Sequence, residues 1–475
     1  MKFRKCFPLI LLAGVAGMLA TGCKTYEQQN KVVVQWRQGN IPAAVTEAKV
    51  LADKNANGKD AIIWRLEQGA VLRAAGQYAA SNDAFDQAQG KIDDYAQQAK
   101  VRVGQEAGAL LSNQANLDYE GRSYDGIMLN TYKVLNYLAL GEPDKARPEL
   151  IRAYQRQQDA VEANKKRIAD AQDAVDKNKD KAVIEKAETN PQLQSQLSGA
   201  NANLDSVQAY ANYVNPFTVY LDGLFFLATA ADASDLERAH KSLERVASFA
   251  PGNECVKQDL ALVDEVMQGK PLAPVTYVIF ETGCAPERGQ IRIDIPIIIS
   301  KVSYVGAAFP TLKLQDNYAP SLTVTANGAA APTALVGSVD GVVATDFKNE
   351  MPVVITKTIA ATVIKTVAAY AINDAARQSG GSEVGLGNNL AGLLTQAATA
   401  AYQIAVNIAD TRTWTTLPKE FQVARVPTPA DRKIDLTAPN GMKTSVTVGD
   451  GTVNVVYVKS INAGTPLLVS QFKLK

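Results

Sequence analysis

The side chains of this 475-residue sequence that could do chemistry are, first, a group of carboxylates and the single histidine. Glu281, Glu287 and Asp294 lie close together in the chain, and a carboxylate pair can hydrolyse a glycoside as acid and base or as acid and nucleophile. Nothing in the sequence fixes the distance between them, and carboxylates at strand ends are usually solvated. His240 lies beside the apolar stripe of a helical pattern, and a single histidine argues against the usual triads and zinc sites. The sequence therefore predicts no catalytic residue, no metal site and no cofactor.

A second kind of chemistry, lipid attachment, is indicated at the N-terminus. Lys2, Arg4 and Lys5 precede a run of about fourteen mostly apolar residues, and small residues lead from this run to Cys23. This order is typical of a secretory signal, and the run is too short to span a membrane. The junction at Cys23 resembles the lipobox of bacterial lipoprotein signals, which implies that residues 1–22 are removed and that Cys23 is acylated. The alternative is an ordinary secretory signal with an incidental cysteine.

The lipids would hold the mature protein on a membrane, since two or three acyl chains bind stably where one binds reversibly. Lys24 follows the cysteine where, by resemblance to enterobacterial lipoproteins, an inner-membrane retention signal would have aspartate. We therefore expect export to the periplasmic face of the outer membrane, with residues 23–33 as a lipidated tether. After residue 22 the chain has 46 basic and 48 acidic residues. This balance provides neither a charge pattern for nucleic acid nor a polybasic patch for the membrane.

Two further cysteines, Cys255 and Cys284, would remain in the exported chain. An even pair in an oxidising compartment favours a disulfide. A bridge would close a loop of about 29 residues and stabilise the fold by roughly 3 kcal/mol in the chain-entropy model. It would also tie the last helix of the N-terminal half to the loop after the first strand of the C-terminal half. The alternative is two separate buried thiols, because the sequence does not give the distance between them.

Residues 34–270 have helical periodicity, and the helices recur in pairs. The clearest pair has small and large residues at fixed offsets, at Gly69, Leu72, Gly76, Tyr78, Ser81, Phe85 and Ala88. Similar offsets recur within 39–51, 137–153 and 223–251. The spacing resembles the tetratricopeptide repeat, in which small residues let paired helices approach and an aromatic side chain fills the groove beside them. Stacked repeats form a superhelix whose concave face usually binds a protein segment. The alternative is a generic helical bundle.

A highly charged and polar stretch, residues 155–205, interrupts this helical half. Its apolar residues are sparse, so it cannot bury much surface alone. The stretch predicts a pair of protruding, solvated helices that breaks near Asn190–Pro191, because proline stops a helix. A partner-binding arm is the alternative.

The period changes at Pro271–Pro274, and segments of residues 275–475 alternate or run apolar as strands do. Connectors with glycine and asparagine are typical of hairpin turns, and the pattern predicts a β-sandwich-like domain. Two alanine-rich stretches, 351–371 and 390–409, predict an inserted helical hairpin over 351–409 that packs on the sheet. The second stretch has transmembrane length, but its polar residues and many alanines argue against a span. The predicted fold class is an α+β multidomain protein.

Three segments, 276–297, 305–314 and 409–418, together resemble a poorly characterised family of bacterial outer-membrane lipoproteins with a tetratricopeptide-like N-terminal half. The resemblance covers nearly the whole mature chain. It implies an envelope location and this architecture, and it implies no known activity.

The last of these segments contains three residues that could hold a corner of the fold. Asp410 and Arg412 could pair at the end of the second alanine-rich helix, because arginine can hold a carboxylate in bidentate geometry. Trp414 could cover the edge of the sheet. We expect a structural lock of these three residues, and a ligand site is the alternative.

Together these observations predict a lipid-anchored cell-envelope scaffold or adaptor that is not an enzyme. It would bind an envelope protein partner through its helical repeats and contact the membrane through its N-terminal lipid. One alternative is a structural subunit of an oligomeric envelope complex, in which copies of the chain pair through the β-rich domain. The other is an envelope hydrolase that uses the carboxylates Glu281, Glu287 and Asp294.

Overall fold

The computed structural model describes residues 30–101, 114–299, 302–379 and 408–475. The predicted signal, Cys23 and most of the tether lie outside these residues, as does nearly all of the second alanine-rich stretch. The described part of the chain contains twelve α-helices and eleven strands in three sheets, which confirms the predicted α+β class.

Eleven of the described helices precede the first strand. They are α1 (Lys31–Arg37), α2 (Ile41–Lys54), α3 (Ala61–Ala74), α4 (Tyr78–Val101), α5 (Ser123–Ala139), α6 (Pro143–Asp176), α7 (Lys181–Glu188), α8 (Pro191–Ala200), α9 (Pro216–Thr229), α10 (Ala233–Phe249) and α11 (Glu254–Met267). Several begin at an asparagine whose side chain accepts a backbone N–H of the first turn. Asn40, Asn215 and Asn253 cap α2, α9 and α11 in this way.

Short turns join successive helices into the pairs α1–α2, α3–α4 and α5–α6. The turns contain Gly39, Gly76 and Gly141, whose φ angles of 72°, 73° and 74° lie in the left-handed region that favours glycine. Glycine also allows close contact within pairs. A Cβ at Gly69 of α3 would clash with the Phe85 ring of α4, and in the α9–α10 pair a Cβ at Gly223 would lie 2.8 Å from the Cγ of Leu243.

The strands begin after α11, and the predicted boundary at Pro271–Pro274 lies in the connection that precedes the first of them. They are β1 (Val275–Thr282), β2 (Glu287–Ile299), β3 (Val302–Lys313), β4 (Thr323–Ala326), β5 (Ala329–Pro332), β6 (Ala334–Ser338), β7 (Glu420–Pro427), β8 (Lys433–Thr437), β9 (Lys443–Thr447), β10 (Val453–Ser460) and β11 (Leu468–Lys473). A five-stranded sheet has the order β11-β10-β1-β7-β6, in which β1 runs parallel to β10 and antiparallel to β7. A four-stranded sheet has the order β5-β4-β8-β9, and β2 and β3 form a separate hairpin.

The five-stranded sheet is buried on both faces at its centre, where every residue of β1 and β10 is buried. Because successive side chains of a strand point to opposite faces, Tyr277 and Ile279 join the core that the helices form, whereas Val278 and Phe280 join the core shared with the four-stranded sheet. A single hydrophobic core therefore continues from the helices into the sheet.

The charged stretch does not form the solvated helix pair that its composition predicts. It forms the distal part of α6, then α7 and α8, with a break at Asn190, whose side chain caps α8. Its few apolar residues meet the β2–β3 hairpin and the helix α12 (Val339–Ser379) in a small core of their own. The members of this core are Val175, Ile184, Ala187, Leu193, Leu197, Ile293, Ile295, Val305, Ala307, Phe309, Ile359, Ala360 and Val363. Burial depended on partners that are distant in the sequence, which composition alone cannot show.

The helix α12 includes the first alanine-rich stretch but begins at Val339, before the predicted start at Met351. Its first turn is capped by Ser338, whose hydroxyl accepts the N–H of Gly341 at 3.1 Å. The second stretch of the predicted hairpin lies outside the described residues, apart from its last two. Within the described part of the chain, no helix combines the length and the apolar character that a membrane span requires.

Candidate functional site

Asp410 and Arg412 lie in the segment that precedes β7. Arg412 donates from Nε to Oδ1 of Asp410 at 2.8 Å and from Nη2 to Oδ2 at 3.0 Å, which is a bidentate pair. Its Nη1 also donates to Asp60, at the start of α3, and to the backbone carbonyl of Leu117. Burial alone would raise the pKa of Asp410, but the charges of Arg412 and Arg122 outweigh it and lower the pKa. The pair thus connects the β-rich half to the helices.

Trp414, in the same segment, is fully buried. Its ring packs edge-on against Phe85 of α4 and Tyr132 of α5, with centroid distances of 5.8 Å in both cases. Its indole N–H donates to Thr416 at 2.9 Å. The sequence predicts that this side chain covers the edge of the sheet, whereas its ring contacts are with the helices.

Two carboxylates near this segment, which the sequence does not single out, also join the N-terminal helices to the β-rich half of the chain. Glu67 of α3, fully buried, accepts hydrogen bonds from the backbone N–H and the hydroxyl of Thr415 at 2.7 and 2.5 Å. Glu350 of α12 accepts from Arg122 at 2.6 Å and from Arg288 at 2.5 Å. Burial alone would raise the pKa of Glu350, but the two guanidinium groups lower it to about 2.

Glu281 of β1, a candidate carboxylate for hydrolysis, is only 1% exposed. It accepts hydrogen bonds from Tyr132 of α5, at 2.8 Å, and from Tyr457 of β10. It also forms an ion pair with Lys459 of β10. The guanidinium of Arg73 lies 4.5 Å from the centroid of the Tyr457 ring. Burial would raise the pKa of Glu281, but the charges of Lys459 and Arg73 outweigh it and lower the pKa. Both oxygens of this carboxylate are occupied by protein groups, so it joins the helices to the sheet.

The other residues considered for chemistry have partners of their own or are exposed. Glu287 pairs with Arg37 of α1, and Asp294 has an exposed side chain in the middle of β2. His240 is half-buried on α10, with its Nε2 3.2 Å from Asp264 of α11. The structure therefore does not bring the three carboxylates together as a pair for hydrolysis.

The predicted disulfide is absent, because Cys255 and Cys284 are both free thiols. Cys255 on α11 lies 3.8 Å from the carbonyl oxygen of Val423, whereas Cys284 lies 3.5 Å from that of Ile461. Val423 pairs with Ile279 in the middle of β1, and Cys284 follows the end of that strand. Strand β1 continues for three residues after Ile279, which places its end about 10 Å from the part of the sheet that Cys255 contacts. A disulfide spans at most roughly 7 Å between Cα atoms, so the two thiols are too far apart to be bonded.

Replacing Cys255 with alanine is therefore expected to change the free energy of unfolding by about 1 kcal/mol or less. The melting temperature of the wild-type protein should also be the same with and without a reductant. Both can be measured by circular dichroism. A melting temperature that falls on reduction in the wild type, and does not fall in Cys255→Ala, would show that the bridge forms.

A cleft of about 380 Å³ lies between the α5–α6 pair and the α9–α10 pair. Leu150 and Tyr154 of α6 form one wall, and Thr218 and Val219 of α9 contribute to the floor. Tyr154 is 50% exposed, which is unusual for so large an aromatic side chain. The cleft is therefore open to solvent and has an apolar side.

The opposite wall of the cleft is polar and belongs to α10. This helix buries Ala239, Leu243 and Val246 on one face, so that its cations fall on a neighbouring face that lines the cleft. Arg238 donates to both carboxylate oxygens of Asp222 on α9, with a shortest distance of 2.7 Å. This ion pair holds the polar wall against the floor of the cleft.

The cleft is not among the features that the sequence predicts. A signal was present in α10, where Arg238, Lys241 and Arg245 follow one another at spacings of three and four residues and so share a helix face. The facing wall belongs to α6, which is far away in the sequence. Its position opposite α10 follows from the packing of helix pairs and not from any local pattern.

The cleft is open to solvent and combines apolar with charged side chains, which suits the binding of another molecule. Among the residues that the structure describes, no three or more histidine, cysteine, aspartate or glutamate side chains are grouped so as to hold a metal ion. Comparison of the chain with protein-family models, with curated proteins and with solved structures finds no match in any of the three.

Proposed function

We propose that this protein is a lipid-anchored scaffold or adaptor of the bacterial cell envelope, which binds a segment of a protein partner in the cleft between its helix pairs. The observation that carries the proposal is the half-exposed Tyr154 at a cleft whose apolar side also includes Leu150 and Val219. Aromatic side chains that are both apolar and able to hydrogen-bond are enriched where proteins bind proteins. The cleft volume also lies within the range of roughly 300–1,000 Å³ that is typical of binding pockets.

The proposed architecture is a tetratricopeptide-like repeat array followed by a β-sandwich-like domain. The nearly equal φ angles of the turn glycines Gly39, Gly76 and Gly141 support the repeat, as do the close helix contacts at Gly69 and Gly223. The core that the five-stranded sheet shares with the four-stranded sheet supports the sandwich. In repeat arrays, the surfaces formed by successive units are the usual binding surfaces for extended partners.

The proposed anchor is an acylated Cys23 on the periplasmic face of the outer membrane. The basic, apolar and small residues that precede this cysteine support it, and Lys24 supports the choice of membrane. Asp410, Arg412 and Trp414 are proposed to be a structural lock, which is supported by their contacts with α3, α4 and α5. An anchored, folded protein would hold a partner close to the membrane.

A photoreactive amino acid in place of Tyr154 is expected to crosslink a second envelope protein in living cells, because the bound segment would lie against this side chain. The adduct would be identified by mass spectrometry. The matched control carries the same photoreactive group in place of Val50 on α2, which is 56% exposed and does not line the cleft. A Cys23→Ala form serves as the mislocalised control, and it should lose the adduct.

Each outcome of this crosslinking bears on a separate part of the proposal. Equal capture of the same protein from Tyr154 and Val50 would contradict the cleft as the binding site. Capture of a second copy of this chain alone would favour the oligomeric structural subunit. An adduct that persists in Cys23→Ala would contradict the role of the anchor.

A further inference from the structure

The wall of the cleft that α10 forms has three cations and one carboxylate, Glu237, and it lies opposite an apolar wall. Arg238, Lys241 and Arg245 line the cleft from α10, at spacings that place them along one helix face. Leu150 and Tyr154 line it from α6. An occupant that fits both walls would offer a negatively charged group to the cations of α10 and an apolar surface to α6.

Helix α10 has three cations and three carboxylates, Asp235, Glu237 and Glu244, so it carries no net charge, but its cations differ in how well they are paired. Arg238 is neutralised by Asp222, which is 8% exposed. Lys241 lies 3.0 Å from Glu237, but both side chains are mostly exposed, so their attraction is weak. Arg245 forms no ion pair among the residues that the structure describes, and its guanidinium lies 6.0 Å from the centroid of the Phe249 ring. A ligand carboxylate could therefore bind Arg245 and Lys241 without displacing a strong internal pair.

We infer that the segment bound in this cleft is an acidic polypeptide. Its carboxylates lie against Arg245 and Lys241, and an apolar side chain of the same segment packs on Tyr154 and Val219. The inference rests on the proposed function, since it names the chemistry of the segment that the same cleft binds. Three cations and two carboxylates, Asp222 and Glu237, line the cleft, which gives it one excess positive charge, whereas the chain after residue 22 has slightly more acidic than basic residues.

A polypeptide suits the cleft better than a lipid does. The floor contains the ion pair of Arg238 and Asp222, and the hydroxyl of Ser242 also donates to Asp222 at 2.7 Å. Acyl chains laid over this pair would remove water from it without replacing the lost interactions. A peptide carries N–H and C=O groups beside its apolar side chains, and its carboxylates can form charge-assisted hydrogen bonds with Arg245.

The test selects short peptides from a random displayed library on the detergent-solubilised full-length protein. We expect the selected peptides to be enriched in aspartate and glutamate together with an aromatic or aliphatic residue. Their affinity, measured by fluorescence anisotropy, should fall about tenfold or more in a Lys241→Glu, Arg245→Glu double variant, because the attraction becomes repulsion. The matched control is Lys257→Glu on α11, an exposed lysine paired with Glu254 outside the cleft, which should leave the affinity unchanged.

The outcomes separate this inference from the proposed function. Selected peptides that bind through Tyr154 but show no acidic enrichment would overturn the inference and leave the adaptor function standing. Acidic peptides whose binding survives the double variant would overturn it as well. Failure to select any peptide would also overturn it, and crosslinking from Tyr154 in cells would then decide the adaptor function. Charge-dependent binding of phosphatidylglycerol vesicles, but not phosphatidylcholine vesicles, in place of peptide would assign the cleft to a lipid headgroup.

Discussion

Replacing Glu281 with glutamine is expected to lower the free energy of unfolding by about 3–5 kcal/mol, because removing one partner of a buried ion pair leaves the other charge buried and uncompensated. The uncompensated groups are Lys459, whose side chain is 9% exposed, and the buried Arg73. Glutamine can still accept one of the hydrogen bonds from Tyr132 and Tyr457, but it carries no charge. Urea unfolding followed by circular dichroism near neutral pH measures the loss.

The same substitution should change how stability depends on pH. The pKa of Glu281 lies below its ordinary value of 4.5 in the folded protein. A carboxyl group with a lowered folded pKa stabilises the fold above its unfolded pKa, and this contribution is lost as the pH falls through the folded pKa. Wild-type stability should therefore fall more steeply below about pH 4.5 than that of Glu281→Gln.

The matched control for this prediction is Glu287→Gln, the same chemical change at a carboxylate six positions along the chain. Glu287 pairs with Arg37, and the two side chains are 31% and 38% exposed. An ion pair so open to water contributes about 1 kcal/mol or less. Equal losses of stability in the two variants would contradict the view that the Glu281 network holds the helices to the sheet.

Replacing Trp414 with alanine is the second change with a large expected effect, a loss of about 3–5 kcal/mol in the free energy of unfolding. The indole is fully buried and packs on Phe85 and Tyr132, which belong to different helices. Alanine would leave a cavity between these helices, and the hydrogen bond to Thr416 would be lost. Urea unfolding measures the loss, and limited proteolysis would locate the region that loosens.

The control for Trp414→Ala is Trp414→Phe, which keeps an aromatic ring in the same site. It should lose less than half as much stability, since most of the ring contacts remain. If alanine and phenylalanine were equally tolerated, the ring would not be part of a structural lock. The lock would also be contradicted if proteolysis were accelerated only at sites far from α4, α5 and the segment that precedes β7.

The continuous hydrophobic core gives both predictions a common basis. Residues of the helices and of the five-stranded sheet belong to one buried cluster, and the networks around Glu281 and Arg412 cross the same boundary. The predicted disulfide between Cys255 and Cys284 is therefore not needed to join the two halves. Polar and apolar contacts between the halves replace it.

Local patterns in the sequence were sufficient for most of the regular structure. Strand β1 begins where the sequence predicts the change to strands, just after Pro271–Pro274, because a run of apolar and β-branched residues suits a strand buried on both faces. Gly69 and Gly76 indicated a helix pair, since one permits a close contact and the other a turn. The break at Asn190–Pro191 was predictable from proline alone. Such features depend on neighbours within a few residues.

The candidate site was much less predictable. Arg238, Lys241 and Arg245 share a face that the sequence displays, but their opposite wall at Tyr154 comes from another helix pair. Similarly, the apolar residues of the charged stretch became buried only because the β2–β3 hairpin and α12 lie against them. In both cases the local sequence of one segment does not show which distant segment packs against it.

The sequence by itself determined the helical first part, the β-rich second part and the boundary between them, because each depends on residue type and short-range period. Only the tertiary structure decided that Glu281 is a buried ion-pair partner and not a solvated carboxylate, and that Cys255 and Cys284 lie apart. It also decided that a cleft opens beside Tyr154. These features depend on distances between segments far apart in the chain, which are set by how the helix pairs and sheets pack together.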